Sequence, residues 1–226
     1  MYRYLWAMTM ALLLAPVAQA DQSKWVEGQN YFLVQPAQPT SVAAGKVEVV
    51  EVFSFACPAC NSFTPIMDKL IASLPAYAQV VYVPASFIPT EDWPVFQRAY
   101  YTAQIMGIDN KKTHDEMFDA IWKTGELAIE DTSTGRLKNP LPTIADVSKF
   151  YARVAGIKAQ TFIDTANSFA VDVRIRRAEQ LIQAYGADST PTLVINGKYR
   201  LTPQSAGGYQ QTLDLVRYLV AKEGGH

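Results

Sequence analysis

The chain has 226 residues, 49% of them apolar and 12% aromatic, with a formal net charge of −1 at pH 7 and two cysteines. So nearly neutral a balance argues against nucleic acid as a general partner. The apolar content is enough for a sizeable core, in one large domain or two small ones.

At the N-terminus Arg3 supplies one positive charge, and the apolar run "LWAMTMALLLAPV" follows over residues 5–17. It closes at Ala18, Gln19 and Ala20, a small-x-small cleavage pattern. The run is shorter than the roughly 20 residues of a membrane span. Residues 1–20 are therefore expected to be a cleavable signal peptide, and the mature chain to begin near Asp21 and be exported. Losing Arg3 moves the formal charge from −1 to −2.

Beyond the leader, "QNYFLV" (29–34) reads as a short strand. "VEVVEVFSF" (47–55) is almost continuously apolar and β-branched, the pattern of a central strand covered on both faces. A helix is expected from Pro58 to about Ser73, then a second buried strand in "QVVYVPASF" (79–87). Strand, helix, strand in that order implies a parallel pair joined by a right-handed crossover. A helical stretch follows: one helix carries Trp93, Phe96, Tyr100 and Ala103 on one face and stops near Gly107. Another spans about 113–123, with His114 expected to be solvated. Residues 130–142 have loop chemistry, and Thr143 with Asp146 resembles a capping box for a helix reaching Gly156. One long helix is expected over 159–185, its "RIRR" run (174–177) a solvated face. "TLVING" (192–197) returns to strand, Asn196-Gly197 signals a type I′ hairpin, and a last helix covers about 209–220. The simplest assembly is an α/β sheet domain interrupted by a helical insertion.

Both cysteines fall in "FSFACPACNSF", where the buried strand meets the helix. In an oxidising compartment cysteines usually come as several stabilising bridges. A bridge across two intervening residues removes little chain entropy from the unfolded state, so a stapling role is poorly motivated. Pro58 suits the first helical position, which makes Cys57 the N-cap, its sulfur facing the N–H groups of Ala59 and Cys60. Those donors and the positive helix end favour a thiolate. Cys60, one turn in, should stay nearer an ordinary thiol. Helix geometry separates the two Cα atoms by roughly 5 Å, within the range of a disulfide, so the pair can open and close with little backbone movement. Thiolate stabilisation makes the disulfide more oxidising: a pKa of about 4 at pH 7 would shift the potential by roughly 90 mV.

Cys60 needs a proton acceptor when the bridge re-forms. Glu51, on the central strand and on the same face as residues 53 and 55, is the candidate, unless it points to an edge or pairs with a surface cation. Thr190-Pro191 opens the later strand, where proline is confined to special positions, although an ordinary trans proline at a strand entrance also satisfies the pattern.

Together "EVFSFACPAC", "AGIKAQTFIDTANSFAV" and "TPTLVINGKYRL" resemble the DsbA family of periplasmic thiol:disulfide oxidoreductases, over essentially the whole mature chain. The resemblance implies an α/β, thioredoxin-like fold (21–89 and 177–226) with an inserted helical domain (90–176), acting as a monomer in the periplasm with no cofactor and no metal. It implies that Pro191 is cis and faces Cys57 and Cys60, leaving the Thr190 backbone free to pair with an extended client. The implied activity is donation of the disulfide to reduced exported proteins, followed by reoxidation by a DsbB-type membrane partner. Two departures stand out. Well-known members carry Pro-His between the cysteines where this chain has Pro58-Ala59, which implies a less depressed pKa at Cys57 and a milder oxidant. "VVYVPASF" also lacks a lysine that family members place near the glutamate, which implies a higher pKa at Glu51.

Three rivals remain. Soft-metal binding by Cys57 and Cys60 is one, but His114 in a helical segment and His226 at the C-terminus do not complete a four-ligand zinc site in one subunit. A peptide-binding chaperone on the same fold is the second. The third is a disulfide reductase or isomerase of that fold, for which no extra dimerisation segment is visible.

Overall fold

The structure, a computed structural model, describes residues 24–131 and 133–224. The expected leader and His226 lie outside the described residues.

The chain begins with β1 (Phe32–Leu33) and β2 (Val47–Phe53). Helix α1 (Pro58–Ser73) leads to β3 (Ala78–Pro84). Then come α2 (Trp93–Ile105), α3 (Lys111–Trp122) and a small hairpin of β4 (Glu130–Asp131) and β5 (Arg136–Leu137). Helices α4 (Ile144–Ala155), α5 (Ala159–Ala166) and α6 (Phe169–Tyr185) follow. The chain re-enters the sheet with β6 (Thr192–Ile195) and β7 (Tyr199–Leu201), and ends in α7 (Pro203–Ala206) and α8 (Tyr209–Gly224).

The five-stranded sheet has the order β1-β7-β6-β2-β3, with β2 parallel to β3 and antiparallel to β6. Every residue of β2 is buried, as its unbroken apolar run predicts. Alternation sends Val47 and Val49 to a cluster with Phe63, Leu70 and Leu215 from α1 and α8. Val50 and Val52 enter the other cluster, with Phe96, Phe150 and Ile182 from α2, α4 and α6. Each large side chain buried this way contributes about 1.5–3 kcal/mol. Among the described residues no helix is long and apolar enough to cross a membrane.

The expected capping box forms: Thr143 Oγ1 accepts from Asp146 N, and Asp146 returns to Thr143 N. Asn196 and Gly197 both have positive φ, as a type I′ turn requires, and the Gln38 carbonyl packs where a Cβ on Gly197 would stand. Three expectations need correction. β3 is an edge strand with its first five residues partly exposed, because only β2 flanks it. The helix expected over 159–185 is two: Ser168 caps α6 by accepting from Val171 N, so the chain stops and restarts at Asn167-Ser168. The short α7 was not foreseen, although Thr202, Pro203 and Ser205 make its own capping box.

Candidate active site

Strand β2 ends in a tight turn that delivers Cys57 to the start of α1. Ala56 N donates to Ser54 Oγ at 3.2 Å and Cys57 N to Ser54 O at 3.1 Å. Trp122 on α3 donates its indole N–H to Phe55 O at 2.8 Å, tying the turn to the helical block. Pro58 occupies the first helical position and Cys57 is the N-cap, as its place before proline predicts.

Cys57 and Cys60 are both buried and carry free thiols in this structure. Cys60 N donates to Cys57 Sγ at 3.4 Å. The pKa of Cys57 is lowered to about 6: the Cys60 thiol donates to its sulfur, and the Thr190 side chain and the Cys60 and Ala59 N–H groups add to this, against a desolvation penalty from burial. When protonated, the same sulfur donates to Thr190 O at 3.6 Å. Cys60 moves the opposite way: burial raises its pKa well above that of a free cysteine, and its hydrogen bond to Cys57 and the charges of Cys57 and Glu51 push it further. A thiolate pKa about one unit below pH 7 makes the disulfide more oxidising by about 30 mV, less than the shift a pKa of about 4 would give. Ala59 is exposed and presents only its N–H to Cys57.

Thr190, just before Pro191, reaches Cys57 with its carbonyl. The Thr190-Pro191 peptide bond is cis, and Thr192 Oγ1 donates to Ser189 O at 2.7 Å, closing the loop that carries it. Thr190 O meets Cys57, while the Thr190 N–H has no acceptor among the described residues. Glu51 lies behind the cysteines, paired with Tyr82 of β3 and Leu193 of β6 in a strand central to the sheet, and not at an edge. Only 4% exposed, it has no protein hydrogen-bond donor among the described residues. Burial, assisted by the negative charge of Cys57, raises its pKa to about 8. Glu51 also borders a cavity formed with α1, α3 and β3; Lys111, in the wall of that cavity, is held by Asp68 at 2.7 Å and Asp115 at 2.8 Å.

Residues 42–215 match the family model described as Thioredoxin. The chain is 34% identical to the thiol:disulfide interchange protein DsbA of Pseudomonas aeruginosa over 216 residues, 96% of this chain and 93% of that one. It is 33% identical to the DsbA of Pseudomonas syringae pv. tomato over 96% and 92% of the two chains. The chain belongs to the DsbA family. It is a thiol:disulfide oxidoreductase with a thioredoxin-like fold. Among solved structures, the Pseudomonas aeruginosa DsbA superposes with a TM-score of 0.74 at 34% identity, covering 89% of this chain and 95% of that one. The oxidoreductase DsbA of Xylella fastidiosa gives 0.77 at 30%, over 89% and 98%.

In this DsbA-family chain one residue is not where the sequence reading puts it. His114 is buried, its ring packed among Tyr82 at 4.6 Å, Phe55 at 4.9 Å and Phe53 at 5.2 Å. Burial, with the charge of Lys111, lowers its pKa to about 4. The signal was present: His114 precedes Met117, Phe118 and Ile121 by three, four and seven residues, which puts it on the apolar stripe of α3. Trp122 also escaped functional notice, since one indole donor in a helical pattern says nothing about its acceptor. No cluster of His, Cys, Asp and Glu suited to a metal occurs among the described residues.

Proposed function

We propose that the chain donates the Cys57–Cys60 disulfide to reduced exported proteins in the periplasm and is then reoxidised by a DsbB-type membrane partner. The observation that carries this reading is the opposed ionisation of the two sulfurs, with Cys57 favouring the thiolate and Cys60 the thiol. A client thiolate attacks Cys57 Sγ, the bridge breaks, and Cys60 leaves with the electron pair and takes a proton. The client's second thiolate then attacks the client sulfur of the mixed disulfide and expels Cys57 as a stable thiolate. The client loses two electrons and the cysteine pair gains them. Glu51 is the proton donor to Cys60 as the bridge opens and, by microscopic reversibility, the acceptor as it re-forms. The Thr190 N–H beside Pro191, without an acceptor among the described residues, supports pairing with an extended client by strand addition. In this reading residues 21–89 and 177–226 form the thioredoxin-like part and 90–176 the helical insertion, with α6 running across the second junction. The leader over 1–20 supports the compartment.

A Cys60→Ser variant keeps the Cys57 thiolate but lacks the neighbouring thiol that would release it after it attacks a client disulfide. Expressed in a bacterial periplasm, it is expected to accumulate mixed disulfides between Cys57 and exported proteins, released by reductant. Absence of such adducts, with the protein folded and exported, would defeat the reading.

A further inference from the structure

Strand β3 has one neighbour, β2, and its other edge is open. In the parallel ladder Ala85 N donates to Phe53 O and Val47 N to Tyr77 O, so the odd-numbered residues of β3 turn their backbone groups to β2. The even-numbered ones turn theirs outward. At the two ends these are used: Ala78 N donates back to Pro75 O, and Pro84 O accepts from Gln97 Nε2. Between them, the N–H and C=O groups of Val80 and Tyr82 have no partner among the described residues. Native sheets usually blunt such an edge with charge or proline, and "AQVVY" (78–82) carries neither.

The two faces of this edge each open on a cleft. On the α6 side, Val81 and Val83 line a groove of about 290 Å³ with Val50 and Leu181, and the charges of Glu48 and Arg177 in its wall offset each other. Tyr185 stands in the same wall, only 2% exposed, and its hydroxyl has no hydrogen-bond partner among the described residues. A native fold rarely leaves a buried hydroxyl so unless something from outside meets it. On the α1 side, Tyr82 lines the cavity of about 220 Å³ whose wall carries Asp68, Asp109 and Asp115 against Lys111. A strand laid beside β3 would alternate its side chains between these two faces. The apolar groove suits aliphatic side chains and the acidic wall suits cationic ones. A second copy of this chain would offer "AQVVY" itself, which has no cation to place there.

We propose that the outer edge of β3 binds an extended segment of another polypeptide by strand addition, with aliphatic side chains toward α6 and basic side chains toward α1 and α3. Thr190 leads into β6, on the other side of β2, so this is a separate site and its occupation does not depend on the redox reading.

The probe is an acetylated, amidated Val-Lys-Val-Lys-Val peptide, which has no cysteine, titrated into isotope-labelled protein and followed by amide NMR. The largest shifts are expected at the Val80 and Tyr82 N–H groups, with Cys57 and Thr190 unmoved. Two further peptides, N-methylated on the lysines or on the valines, separate backbone pairing from side-chain contact. The one whose blocked groups face β3 is expected to bind at least ~10-fold more weakly than the other. Val80→Pro removes one outward N–H and no ladder bond, and should weaken the parent peptide at least ~3-fold with thiol–disulfide exchange at the wild-type rate. Should proline disturb the strand, the methylated pair tests the same bonds in the unaltered protein. A Val-Glu-Val-Glu-Val peptide should bind at least ~10-fold more weakly than the lysine peptide. Equal affinity of the two methylated peptides, equal affinity of the lysine and glutamate peptides, shifts centred on Thr190, or pairing of β3 with a second copy of the chain in place of the peptide would overturn the proposal.

Discussion

The two faces of β2 each bury one carboxylate, and the fold treats them differently. Glu48 is met by Ser41, whose N–H and hydroxyl donate to Oε1 at 2.8 and 2.6 Å. Glu51, three residues on and on the opposite face, receives no donor among the described residues and borders a cavity instead. A satisfied buried carboxylate fixes a strand to its neighbouring loop. An unsatisfied one is destabilising as an anion and is held protonated, which suits a group that must give and take a proton. Burial alone therefore does not mark function; the missing partner does.

The largest expected consequence is in stability against pH. The folded pKa of Glu51, about 8, lies above the ordinary 4.5, so the folded state holds a proton that the unfolded state has released. Stability from this group is complete below pH 4.5 and falls as pH rises towards 8, by about 5 kcal/mol in total. Cys57 acts in the opposite sense between about pH 6 and 9. The informative quantity is thus the difference between wild type and Glu51→Gln in urea unfolding of the reduced protein. The variant should gain on wild type from about pH 5 to about pH 9, and parallel curves would erase the contrast between the two faces.

His114 gives the next effect. Its folded pKa is lowered from 6.5 to about 4, so its contribution is complete above pH 6.5 and is lost as pH falls towards 4, by about 3 kcal/mol. Replacement by Gln should flatten the acid limb of the unfolding profile by that amount. A smaller change is expected at the satisfied carboxylate: Glu48→Gln should lower stability by about 2 kcal/mol through its weakened bonds to Ser41 while leaving thiol–disulfide exchange within about twofold of wild type. Equal losses of exchange activity in Glu48→Gln and Glu51→Gln would show that the faces do not divide the work. The smallest is Ala59→His, whose imidazole should lower the Cys57 pKa by about one unit, worth about 1.4 kcal/mol. An unchanged titration would remove the expectation that Ala59 makes the protein a milder oxidant.

Local chemistry made much of this readable from the chain. The unbroken apolar run of β2, proline after Cys57, and the Thr143 and Asn196-Gly197 signals each specify a conformation through nearby atoms, and α1 and its cap form where expected. What the sequence hid depends on partners distant in the chain. The edge position of β3 follows from which strands flank it; the break before α6 is the local exception, one serine outcompeting helix continuation. The Trp122 clamp spans 67 residues. The cavity joins β2, β3, α1 and α3, so its existence could not come from spacing within α3 alone, although that spacing does put His114 on the apolar stripe. Glu51 was legible as a candidate because strand alternation reaches it; its lack of a partner was not.

The account turns on Cys57 being an unusually stable thiolate. Titration of its thiolate absorbance in the reduced protein tests this directly, with Cys60 still protonated across the range. A midpoint near pH 6 is expected; a midpoint at about 8.5 or above, that of free cysteine, would contradict it.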